Sequence, residues 1–115
     1  MTDYTILQEL PYAIGQDHYE GLAKVGEEMS ELGVEFFKLM ATGGNPKYWG
    51  VRNLHVGISC EVADLYAALD FFVAKNKWFD VGFVARRRKT KLAAYNEWSE
   101  ETKKLKELRK NNNEN

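Results

Sequence analysis

Two pairs of acids carry the chemistry that can be read from this chain: Glu28 with Glu31, and Glu61 with Asp64. The members of each pair stand three apart, within KVGEEMSEL and SCEVADLY, and both stretches have helical periodicity. Residues three apart on a helix are neighbours on its surface, so two such helices can aim four carboxylates at one point. Converging carboxylate oxygens repel one another until a hard cation neutralises them. Mg²⁺ is the usual biological choice, with Mn²⁺ a substitute of the same ligand preference. Glu61 is the most telling of the four, because it stands in the apolar stripe Leu54, Ile58, Leu65, Ala68 and Phe72. An ionised carboxylate withdrawn from water is costly unless paired or metal-bound, so a glutamate amid leucines calls for compensation. The small side chains of Gly57 and Ala68 leave room beside it for a cation and its waters.

Acidic pairs at this spacing also occur on solvated helix faces, and Glu28 with Glu31 alone fits that reading equally well. Glu61 in the stripe, with Asp64 beside it, is what favours a metal site. Glu27 and Glu35 read as solvated acids or as ion-pair partners of Lys24 and Lys38. Cys60 reads as a small buried hydrophobe.

The elements that must position these residues follow from periodicity and punctuation. Residues 1–16 contain Pro11 and Gly15 and read as an arm. Asp17 with Glu20 forms a capping-box pattern that opens a first helix running to about Ala41. Its expected apolar seam is Leu22, Val25, Met29, Leu32, Phe36 and Leu39, with Lys24, Glu28, Glu31 and Glu35 as a second stripe beside it. Gly43 and Gly44 end that helix, and Asn45 to Gly50 make a long connection containing Tyr48 and Trp49. A second helix is expected from about Arg52 to Lys77. A third begins near Asp80 and carries the basic run RRRKTK, Arg86 to Lys91. Ser99, followed by Glu100 and Glu101, reads as the cap of a last helix ending near Lys110, and residues 111–115 read as a disordered tail. The expected fold is all-α: one domain over residues 17–110, a bundle of about four helices completed by self-association.

Composition sets the outer bounds. At 115 residues, with 44% hydrophobic residues and a net charge of -1, the chain has no global excess that would draw nucleic acid or membranes. One cysteine permits no internal disulfide, which fits a reducing, cytoplasmic setting. No basic region precedes an apolar run at the N-terminus, and no long apolar stretch occurs, so neither secretion nor a membrane span is expected.

Two motifs together resemble a known family. KxxEExxEL, formed by Lys24, Glu27, Glu28, Glu31 and Leu32, precedes ExADL, formed by Glu61, Ala63, Asp64 and Leu65. This pairing is similar to the MazG-like nucleotide pyrophosphohydrolases of the all-α NTP pyrophosphatase superfamily, over residues from about 17 to 98. The resemblance implies hydrolysis of a (deoxy)nucleoside triphosphate between its α and β phosphates, giving monophosphate and pyrophosphate. It places Glu28, Glu31, Glu61 and Asp64 at the Mg²⁺-ligand positions, with Glu27 orienting or deprotonating the attacking water alongside Glu28. It implies phosphate contacts from the later helix, for which Arg87, Arg88, Lys91 and Asn96 are the candidates, with Lys24 nearer the acids. Many members have a lysine and an asparagine four apart before an arginine, whereas Lys91 and Asn96 are five apart and Trp98 and Ser99 follow. Trp49, with Tyr48, could stack on a base, although both read more readily as packing residues.

Two other readings compete. A helical nucleic-acid-binding module could use the basic run 86–91 as its contact surface, but that leaves Glu61 unexplained. A carboxylate-bridged di-iron bundle needs a histidine three residues after a glutamate; position 64 is Asp and position 34 is Val.

Overall fold

A computed structural model describes residues 18–47 and 53–114. Among them lie three helices and no strand: α1 (Leu22–Ala41), α2 (Leu54–Lys75) and α3 (Val81–Glu114). The chain divides into two compact units, residues 1–77 and 78–115. No described helix is long and apolar enough to cross a membrane.

In the first unit α1 and α2 form an antiparallel hairpin. α1 opens later than the capping-box pattern suggests, because its N-cap is Gly21 in the left-handed region, at φ 87, with no side-chain cap. Asp17 lies outside the described residues. Only glycine takes that conformation at no steric cost, and here it also lets α2 approach. A Cβ on Gly21 would sit 2.9 Å from Cδ1 of Phe71. Buried Asn76, just past α2, ties the same end by donating to the carbonyls of Glu20 (3.0 Å) and Phe72 (2.7 Å). At the other end Gly43 and Gly44, both at positive φ, return their N–H groups to the carbonyls of Met40 and Leu39, closing α1 as expected. Asn53 then caps α2, its Oδ1 accepting from the His55 N–H at 2.8 Å.

The seam between these helices is not the one expected on α1. Leu22, Met29 and Phe36 are exposed, at 47%, 58% and 40%. Gly21, Val25 and Leu32 are buried, and Glu28, Glu35 and Leu39 are half-buried. The inward positions therefore run 21, 25, 28, 32, 35, 39, so the seam passes through two glutamates. On α2 the expected stripe holds: Leu54 and Ala68 are buried, and Ile58, Glu61, Leu65 and Phe72 are half-buried. The apolar core is small, with Val25, Leu32, Leu54 and Ala68 its buried hydrophobic residues among those described.

The second unit is dominated by α3, 34 residues and about 51 Å long at about 1.5 Å per residue. Asp80 caps it, its Oδ1 accepting from the Phe83 N–H at 3.0 Å. The break expected at Ser99 is absent, so the described helices number three, not four. The stretch after Ser99 is rich in glutamate, lysine and leucine, with no glycine or proline to interrupt the backbone ladder. Lys103 pairs with Glu100 at 3.3 Å and Thr102 bonds back to the Trp98 carbonyl, so the local interactions prolong the helix. The same ladder carries α3 to Glu114, across most of the segment expected to be a disordered tail.

Candidate metal centre

The antiparallel register explains why the acids meet. From Gly21 against Phe71 and Phe72, stepping down the pair brings Glu28 level with Asp64, and Glu31 level with Glu61. One carboxylate oxygen from each of Glu28, Glu31 and Glu61 lies within 4.8 Å of the others. Octahedral Mg²⁺ with ligands at about 2.1 Å spaces its oxygens by about 3.0 Å for neighbours and about 4.2 Å for opposite pairs, distances of the same order as this separation. The donors are hard carboxylate oxygens, and the set fits a divalent cation. The fourth predicted ligand, Asp64, is exposed and stands outside this group.

Two atoms make the cluster unusual. Oε2 of Glu28 and Oε2 of Glu61 are shut off from water and accept no hydrogen bond. A buried acceptor left without a donor costs free energy that folding does not recover. The electrostatics follow from that position. Desolvation raises the pKa of Glu28 above the usual glutamate value, and the charges of Glu31, Asp64 and Glu27 raise it further, against a lowering from Lys24. Desolvation also raises that of Glu61, reinforced by the close Glu31 carboxylate and by the charges of Asp64 and Glu35. Crowding of this kind favours the protonated form of Glu28 and Glu61 relative to a solvated glutamate.

The remaining predicted residues fall in three places. Glu27 and Lys24 are engaged with each other, Nζ to Oε2 at 2.7 Å, and this contact is the main reason the Lys24 pKa is raised. Trp49, with Tyr48, lies outside the described residues. Arg87, Arg88, Lys91 and Asn96 belong to α3 in the other unit. There the arginines are exposed, and the Lys91 ammonium lies 5.7 Å from the Trp98 ring centroid and 6.0 Å from that of Tyr95. Cys60 is exposed, not buried, because it falls about 100° around α2 from the inward-facing Glu61.

Glu35 is the residue that the sequence reading undervalued. It pairs with Lys38 at 3.7 Å, as expected, but it is half-buried in the seam and its charge acts on Glu61. Its place seven residues after Glu28, on the line of Val25, Leu32 and Leu39, was the available signal. Comparison of the chain with protein-family models, curated proteins and solved structures finds no match.

Proposed function

We propose that the chain is a Mg²⁺-dependent nucleoside triphosphate pyrophosphohydrolase, cleaving a (deoxy)nucleoside triphosphate to monophosphate and pyrophosphate. The observation that carries this reading is the cluster of Glu28, Glu31 and Glu61 in the helical seam, with two buried carboxylate oxygens lacking any donor. Glu28, Glu31 and Glu61 would hold the cation, and Asp64, whose charge reaches both Glu28 and Glu61, would complete its carboxylate surround. A divalent cation held there neutralises a triphosphate and makes a bound water more acidic, and Mn²⁺ can replace Mg²⁺. Glu27, fixed by Lys24 on the flank of the cluster, is the candidate to orient the attacking water. Lys24, beside the cluster, is the phosphate contact that the first unit offers; Arg87, Arg88, Lys91, Asn96 and Trp49 are assigned to the substrate by the family resemblance alone.

The protein works in the cytoplasm as a homo-oligomer under this reading. A hairpin with so small a core that leaves Phe37 and Met40 about 70% exposed has apolar surface to cover.

The test is product analysis by anion-exchange chromatography, with a panel of ribo- and deoxyribonucleoside triphosphates and Mg²⁺. Monophosphate and pyrophosphate are expected from the wild type. Loss of a cation ligand in Glu61→Gln should lower the rate by more than about a hundredfold. No turnover with either Mg²⁺ or Mn²⁺ would overturn the reading. In that case the basic run offers the second reading, since Arg86, Arg87, Arg88 and Lys89 are all exposed. Nucleic-acid binding that falls steeply with salt and ignores Glu61→Gln would be its signature.

A further inference from the structure

α3 carries an apolar surface of its own. Val81, Phe83, Tyr95, Trp98, Leu105 and Leu108 are each more than half exposed. Val84, Lys91, Trp98 and Leu105 recur every seven residues, the repeat that lets two long helices stay in contact as they wrap. Lys91 is the one charged residue on that repeat. It is half-buried, with its ammonium over the Tyr95 and Trp98 rings, so it adds apolar stem to the stripe.

What covers this face is indicated by how charge is distributed along α3. Residues 86–91 hold five basic side chains, Ala93 and Ala94 are small and uncharged, and residues 97–101 hold Glu97, Glu100 and Glu101. Turn a second copy of the helix end for end about Ala94, and each block meets its complement. Arg87 comes level with Glu101 and Lys91 with Glu97, each pairing occurring twice, while Glu100 turns to the outer side of the helix and pairs with Lys103. In the same register Phe83 comes level with Leu105, and Val81 falls within one residue of Leu108. A parallel pair would instead set the five basic residues against five more. A sequence complementary to its own reversal is what a two-fold interface requires, since each contact must occur twice with the partners exchanged. The blocks act on one another within the screening length of about 8 Å at physiological salt, so they choose orientation and register while the apolar stripe supplies the burial.

We infer that α3 is a homodimerisation element, pairing antiparallel with α3 of a second copy in a register centred on Ala94. The inference is independent of the metal reading, and it gives the proposed self-association a face.

The experiment uses the full chain with Cys60→Ser as background. Ala94→Cys and Leu105→Cys are oxidised separately and followed on non-reducing gels. Only residues at the centre of an antiparallel pair reach their own counterparts within disulfide distance, so Ala94→Cys should form covalent dimer at least about tenfold faster than Leu105→Cys. In parallel, dimer dissociation is followed by light scattering. Arg87→Glu and Glu101→Arg should each weaken the dimer about tenfold, from two modest ion pairs turned repulsive, and the combined variant should return close to wild type. Equal cross-linking at both positions would establish a parallel pair and overturn the inference. Failure of Ala94→Cys to link, or failure of the charge swap to restore the dimer, would overturn it as well. Persistence of an oligomer in those cases would place self-association on another face.

Discussion

Glu28 and Glu61 each keep one carboxylate oxygen away from water with no donor to meet it, a cost that a helix hairpin has no need to bear. Both groups have pKa values raised above the usual 4.5, chiefly by desolvation and then by neighbouring carboxylates. A carboxyl whose pKa is higher folded than unfolded keeps its proton longer in the folded state. The folded chain therefore binds more protons than the unfolded one between about 4.5 and the raised values. Stability must fall as pH rises across that interval, and the penalty is absent below it. Urea unfolding of the metal-free protein should accordingly give a higher midpoint at pH 5 than at pH 7.5. A midpoint that is flat or rises with pH would show that these acids are ordinary solvated side chains. The two pairs and the seam position of Glu61 could be read from spacing, because an acid inside an apolar stripe is visible in one dimension. Glu35 could not be ranked in the same way. Phe36, its neighbour, takes the obvious apolar place in the sequence and yet faces outward.

At the scale of the helices, sequence punctuation located the ends well where glycine or a polar cap decides them. Gly43 and Gly44 close α1, and Asp80 opens α3. It misplaced those set by tertiary contact or by continuing propensity. The start of α1 is fixed by Gly21 against Phe71, a contact between residues 50 apart that no local pattern announces. Gly21→Ala combines a disfavoured left-handed residue with a 2.9 Å approach and should cost about 1–2 kcal/mol from the backbone alone. Asn76→Ala removes the donor that serves the carbonyls of Glu20 and Phe72 and should cost about 1–3 kcal/mol. For a unit of this size each kcal/mol lowers the melting temperature by about 4–8 °C. Unchanged melting of both variants would mean that this end does not hold the hairpin in register. Ser99 misled for a simpler reason: a serine can cap a helix, but amid good helix formers with no breaker nearby it stays within one.

At the scale of the molecule the all-helical class was evident from periodicity alone, whereas the division into two units was not. Residues 76–80 contain no run of linker composition. Most large apolar side chains on the described helices are substantially exposed, so light scattering should give a mass that is a multiple of 13.3 kDa. A lone 13.3 kDa species at micromolar concentration would contradict self-association. The central claim is that the seam of acids exists to hold a divalent cation, and thermal unfolding at pH 7.5 with and without Mg²⁺ tests it most directly. Mg²⁺ should raise the melting temperature of the wild type, because binding to the folded state alone stabilises it. Metal-free Glu61→Gln should melt above the metal-free wild type and gain little or nothing from Mg²⁺. Melting of the wild type that is the same with and without Mg²⁺ or Mn²⁺, at millimolar concentrations, would contradict the claim.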